Sequence, residues 1–156
     1  MRRWAAIVMT GWLGGLLGCQ PQSATAPATQ TATAGEITLM TFNVNYGIAG
    51  DPETIAAIAR EDADVVMLQE TNEAWEAALR SALSDSYPHM AFHHEGGAGG
   101  LAILSRYPFD TGEVLPATEG WFPAWRVVLH TPAGDIQAMN VHLGPQISDS
   151  GSVVSG

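Results

Sequence analysis

Asn43, Glu70 and His142 stand at or beside the ends of short apolar runs that read as strands: Ile37 to Val44, Asp64 to Thr71, and Asp135 to Leu143. An amide, a carboxylate and an imidazole form a set that suits Mg²⁺-assisted phosphoryl hydrolysis. The carboxylate is a hard oxygen ligand, and Mg²⁺ takes one or two of these and leaves the rest to water and substrate phosphate. The ion would neutralise charge developing on phosphate oxygens, and the imidazole would stabilise or carry a proton. Glu70 also has a plainer reading, since a negative side chain before a helix favours its positive end. Spacing alone does not bring the three residues together; that requires a fold.

The surrounding elements are legible as alternating strands and helices in the first half. Asp64-Val65-Val66-Met67-Leu68-Gln69-Glu70-Thr71 is an apolar run entering an amide and a carboxylate, which predicts a buried strand with Glu70 at its carboxyl end. Open α/β sheets place their ligands at such strand ends. Asp51-Pro52-Glu53 predicts a helix start, with Asp51 as cap and Pro52 at the first position. Ile55, Ile58 and Ala59 would form its packed face. Thr71 or Asn72 would cap a second helix with Trp75, Ala78 and Leu79 as its apolar stripe. Tyr87 to His94 and Gly100 to Pro108 read as further strands around the loop Gly96-Gly97-Ala98-Gly99-Gly100. That loop would let backbone approach a ligand closely or would serve only as a connection. Trp125 to His130 and Asp135 to Leu143 flank the turn-like Thr131-Pro132-Ala133-Gly134. Adjacent His93 and His94 would point to opposite faces of their strand, so they are poorly placed to share one ion. The pattern predicts a mixed sheet with helices on one face.

With 156 residues the chain is one domain's worth at most, and 46% apolar with 14% charged residues marks it as globular. All six basic residues are arginines, against 16 acidic ones, giving a net charge of −10. Such a surface repels polyanions, so nucleic acid is a disfavoured partner though not an excluded one. Arg2 and Arg3 precede an apolar stretch from Trp4 to Leu17, the order of an export signal. Leu16-Leu17-Gly18-Cys19 looks like the lipobox of bacterial lipoproteins, in which Cys19, the chain's single cysteine, is lipidated. An ordinary signal peptide with a chance cysteine is the alternative. The expected organisation is a lipoprotein signal over 1–18, a flexible tether over 19–35, a folded domain over 36–147 and a disordered tail over 148–156. The tether rests on a composition of Ala, Thr, Gln and Pro without charge. The product would be exported to the bacterial cell envelope and held on a membrane through Cys19.

Four segments occur in the order of a known family: Thr41-Phe42-Asn43-Val44, Asp64 to Glu70, Gly100 to Pro108, and Asn140-Val141-His142-Leu143. Over about residues 37 to 144 the chain resembles the amino-terminal half of the endonuclease/exonuclease/phosphatase superfamily, which is deoxyribonuclease I-like. The resemblance implies an α/β (α+β type) fold, the first half of a four-layer α/β/β/α sandwich with a mixed, largely antiparallel sheet. It implies that Glu70 ligates Mg²⁺, or Mn²⁺ in its place, with Asn43 beside metal and phosphate and His142 on the scissile phosphate. Arg126 is a candidate phosphate contact, with a surface ion pair as its alternative. The implied substrate is a phosphate ester: nucleic acid, phospholipid head group or small ester.

The family also uses a Gly-Asp-x-Asn segment and a Ser-Asp-His segment, and this sequence supplies neither after His142. Ser148-Asp149-Ser150 lacks the histidine, and Gly134-Asp135 precedes His142 in a turn. The chain is therefore expected to be a catalytically incomplete hydrolase-like domain, a fragment whose first sheet would show a bare apolar inner face. The alternative is a non-catalytic envelope lipoprotein that binds a ligand or partner.

Overall fold

The structure, a computed structural model, describes residues 36–117 and 122–144. The expected signal peptide, Cys19, the tether and the tail over 148–156 lie outside the described residues.

Strand β1 (Leu39–Asn43) leads through helix α1 (Pro52–Glu61) to β2 (Val65–Gln69). The capping signal works as read: Asp51 Oδ2 accepts from Thr54 N at 2.8 Å and Pro52 opens the helix. A helical crossover allows β1 and β2 to run parallel, and they do, with Asn43 beside Gln69 in the register. Helix α2 (Glu73–Leu83) follows; Asn72, not Thr71, is its cap, its Oδ1 accepting from Trp75 N at 2.9 Å. Strands β3 (His89–His93) and β4 (Leu101–Ser105) complete a sheet of order β1-β2-β4-β3, antiparallel except at β1–β2. Strands β5 (Phe109–Leu115), β6 (Ala124–Thr131) and β7 (Gly134–Val141) form a second, antiparallel sheet in sequence order. The hairpin between β6 and β7 turns at Gly134, whose φ of +111° suits a residue without a side chain.

Side chains on β2 alternate between two cores, as the period of a strand requires. Val66 and Leu68 pack with Ile58, Trp75, Leu79 and Leu83 of the helices. Val65 and Met67, with Leu101 and Ile103 of β4, pack against Trp125, Val127 and Leu129 of β6. Each such buried aliphatic side chain contributes about 2 kcal/mol relative to an exposed one. Within the described residues the architecture is thus helices, mixed sheet, antiparallel sheet.

Two expectations need correction. The inner face of the first sheet is not bare, because β6 and β7 of this same chain cover it. The exposed apolar side chains lie elsewhere, among them Met139 and Val141, which alternate with the buried Asn140 and so point away from the first sheet. In α1, Ala59 is exposed and the packed residues are Ile55 and Ile58. Sequence patterning also passed over β5. Asp110, Gly112 and Glu113 interrupt its apolar pattern, and its register with β6 shifts between Thr111 and Val114.

Candidate active site

Where β2 ends, Glu70 leaves the strand with φ +62°, a left-handed conformation uncommon for a residue bearing a side chain. Strict alternation would aim position 70 toward the helices; the break in the strand re-aims it to the end of β1. There Asn43 Nδ2 donates to Glu70 Oε1 at 2.8 Å. Asn43 Oδ1 in turn accepts from Asn45 N at 3.0 Å, which fixes the amide with its nitrogen toward the carboxylate. The second carboxylate oxygen, Oε2, faces the backbone N–H of Tyr46 at 3.4 Å.

His142 follows β7 directly and completes the cluster. Its Nε2 lies 3.4 Å from Asn43 Nδ2 and 3.7 Å from Glu70 Oε1. Its Nδ1 lies 3.0 Å from the carbonyl oxygen of Ala98, in the short turn Gly97–Gly99. A carbonyl can only accept, so Nδ1 carries the proton and a neutral ring turns its Nε2 lone pair toward Asn43 and Glu70. Phe122 stacks on the ring at 3.8 Å between centroids and 8° between planes. The His142 side chain is 9% exposed and that of Glu70 19%, while Asn43 beside them is open to solvent, so the cluster sits in a shallow recess.

The recess is built by local sequence. Trp75 Nε1 donates to Asn45 O at 3.0 Å and Asn72 Nδ2 to Tyr46 O at 3.0 Å, which pin the turn after β1 to the start of α2. The glycine loop has a definite role: Gly100 lies against Thr71, where a Cβ would come within 1.8 Å of the Thr71 carbonyl oxygen. Its close approach is to the chain's own backbone. A cleft of about 310 Å³ adjoins the recess, lined in part by Tyr46, Glu73, His94 and Glu95. His94 is held in it by Glu76 at 2.7 Å.

The structure brings Asn43, Glu70 and His142 together and leaves Arg126 apart. Trp125 and Val127 are buried toward the first sheet, so Arg126 projects from the opposite face of β6 into solvent. It takes part in no ion pair among the described residues. Sequence reading missed the Ala98 carbonyl, the Phe122 ring and the Tyr46 N–H, all of which touch the cluster.

Residues 40–146 match the profile of the Endonuclease/Exonuclease/phosphatase family. The chain belongs to this endonuclease/exonuclease/phosphatase family. A family protein from Leptotrichia buccalis C-1013-b has a similar structure at 17% identity and TM-score 0.53, over 70% of this chain and 55% of that one. TDP2 from D. rerio, solved with a single-strand DNA product, is similar at 15% identity and TM-score 0.54, over 66% and 44%. The chain thus spans about half the length of these solved structures, and at such identities the likeness shows the fold. No curated protein matches the chain significantly.

Enzymes of the endonuclease/exonuclease/phosphatase family generally use divalent metals. Among the described residues no group of three or more His, Cys, Asp and Glu side chains could hold a metal ion. Mg²⁺ asks for less: one or two carboxylates, with water and phosphate oxygens making up the octahedron. Glu70 fits that role. It offers a hard, partly exposed carboxylate whose nearest protein partners are N–H donors, on a backbone strained in the way functional positions often are.

Proposed function

We propose that this domain binds a phosphate ester and Mg²⁺ at the Asn43–Glu70–His142 recess, as the metal- and phosphate-binding part of a phosphodiester or phosphomonoester hydrolase. The observation that carries this reading is the meeting of three side chains from three strand ends within hydrogen-bonding reach, Asn43 and His142 being 99 residues apart. Glu70 would hold the ion, with Mn²⁺ as a substitute, and the bound metal would offset charge on phosphate oxygens. Asn43 orients the carboxylate with one N–H and turns the other toward His142 Nε2. His142, with its tautomer set by Ala98, presents Nε2 either as a proton acceptor or, once protonated, as a donor to a phosphate oxygen. The family's Gly-Asp-x-Asn and Ser-Asp-His segments are not among the 156 residues.

The net charge of −10 and the carboxylates of Glu73 and Glu95 beside the recess favour a small ester or lipid head group over nucleic acid. Export and lipidation at Cys19 would place the domain on a membrane of the bacterial envelope. The second reading is a lipoprotein that binds its ligand at the same recess without hydrolysing it.

Purified protein incubated with bis(4-nitrophenyl) phosphate and Mg²⁺, with Glu70→Ala and His142→Ala alongside, tests the enzyme. Hydrolysis that both variants and a chelator abolish supports it. Mn²⁺ bound by the wild type and not by Glu70→Ala, without hydrolysis, supports the binding reading. Neither metal binding nor hydrolysis would remove the recess from any function of this kind. Radiolabelled palmitate in the wild type but not in Cys19→Ser tests the anchor.

A further inference from the structure

Between the two sheets, directly behind the recess, lies a buried pair of amides. Gln69 is 6% and Asn140 1% exposed, and Gln69 Nε2 donates to Asn140 Oδ1 at 2.6 Å. Gln69 Nε2 also reaches Thr41 Oγ1 at 3.0 Å, while Asn140 Nδ2 donates to the carbonyls of Leu68 at 2.9 Å and Ala102 at 3.1 Å. The network thereby ties β7 to β1, β2 and β4. Apolar residues of similar shape could fill this layer at little cost in stability, as Val65, Met67 and Leu129 do beside it. The amides therefore call for a reason beyond cohesion. Their positions supply one: Thr41 lies two residues before Asn43, Gln69 one before Glu70, and Asn140 two before His142. Residues two apart on a strand share a face, so the bonds that fix Asn140 also aim His142.

We propose that Gln69 and Asn140 are positioning residues that set the distance and orientation of His142 relative to Asn43 and Glu70. The proposal rests on reading those three residues as the reacting site. Without the amide ties, the ladder with β6 still sets the register of β7 within its own sheet, but the non-directional packing between the sheets no longer fixes where the end of β7 sits over the first sheet. His142 then loses its simultaneous fit to Ala98 and Asn43.

The test compares Asn140→Val with Val127→Ala, a cavity in the same layer that removes no polar bond, matched for folding by thermal melting. Ring ¹⁵N spectra of neutral His142 should show one Nδ1–H tautomer in the wild type and in Val127→Ala, and a mixture of tautomers in Asn140→Val. Gln69→Met, close in shape to glutamine, gives the same comparison should Asn140→Val fail to fold. Where the wild type hydrolyses bis(4-nitrophenyl) phosphate, the amide variants should lose at least about tenfold in kcat with KM within about twofold. A single tautomer retained in the folded amide variants, or equal scrambling in Val127→Ala, would overturn the proposal. The spectra need no activity, so a wild type that hydrolyses nothing counts against the enzyme and leaves the positioning result standing.

Discussion

Asn43 Nδ2 lies 2.8 Å from Glu70 Oε1 and 3.4 Å from His142 Nε2, so one amide stands between the carboxylate and the imidazole. Its oxygen is committed to Asn45 N, which means the side chain cannot turn its acceptor toward either neighbour without losing a bond. Asn43→Ala removes the donor from both. In an active form of the protein, hydrolysis should fall by about 10²-fold, the usual loss for one preorganised donor. Stability should change by about 1 kcal/mol or less, since the bond is exposed to water. Kinetics on bis(4-nitrophenyl) phosphate and urea melts of the same preparations check both halves.

Glu70 combines the site carboxylate with a left-handed backbone. A non-glycine residue in that region carries about 1 kcal/mol of strain that glycine does not. Glu70→Gly and Glu70→Ala both delete the carboxylate, so any metal binding should disappear in both. Their stabilities should differ, with the glycine variant more stable by about 1 kcal/mol in urea unfolding. Equal stabilities would mean that the backbone relaxes out of the left-handed region once the carboxylate is gone.

Asp64 joins the starts of β1 and β2 to Arg106. Burial works against its charge most strongly, yet it accepts from Thr38 N at 2.9 Å and Thr38 Oγ1 at 2.8 Å, and Arg106 Nη1 lies 3.4 Å away. Together these bonds hold its carboxyl below the ordinary value of 3.8. The folded state then binds the proton less tightly than the unfolded chain does. The stabilisation is present in full above the unfolded value and is lost as pH falls through the folded one. Asp64→Asn should be less stable than wild type at pH 6, with the gap narrowing as pH falls below the ordinary carboxylate range. Urea unfolding at several pH values measures the gap directly.

Gly100→Ala would drive a Cβ to within 1.8 Å of the Thr71 carbonyl oxygen, a backbone atom with no freedom to withdraw alone. The loop or the end of β2 must move, at a cost of about 3 kcal/mol. Because Thr71 follows Glu70 and Ala98 holds His142, the same shift should disturb the recess. Denaturation gives the stability loss, and the His142 ring spectrum reports the disturbance. Gly97→Ala, at φ +64° with open space around it, should cost only about 1 kcal/mol.

Glu70 was readable from sequence because a carboxylate at the end of Val65-Val66-Met67-Leu68 contradicts the run that carries it. Asn43 and His142 became readable once the ordered motifs suggested a common fold. The Ala98 carbonyl could not be seen, since every residue has one and only the loop's path decides which carbonyl faces a ring. Phe122 was equally hidden, because its stacking depends on the approach to β6 and not on any periodicity. Arg126 is a different case. Its alternation with the buried Trp125 and Val127 already places it on the outer face, away from Glu70, and alternation is visible in the letters. The second sheet's cover over the first was missed because that cover was assigned to segments after His142, whereas Trp125, Val127 and Leu129 of β6 already supply it. Gln69 and Asn140 carried a signal of their own: amides within strands whose alternate positions on the same face are apolar.

The order of assembly follows from how far apart the cluster's members lie in the chain. The β1–α1–β2 unit closes over short separations, and Asn43 meets Glu70 across 27 residues. His142 meets Asn43 across 99, and Asn140 reaches Gln69 across 71. Closing long loops costs entropy before contacts repay it, which delays non-local pairing. Docking of β7 should thus come late in folding, after the helical core has formed. Weakening the amide ties would then chiefly speed unfolding and leave the folding rate nearly unchanged. A folding chain would hold Glu70 and Asn43 in place for some time with no imidazole between them and solvent.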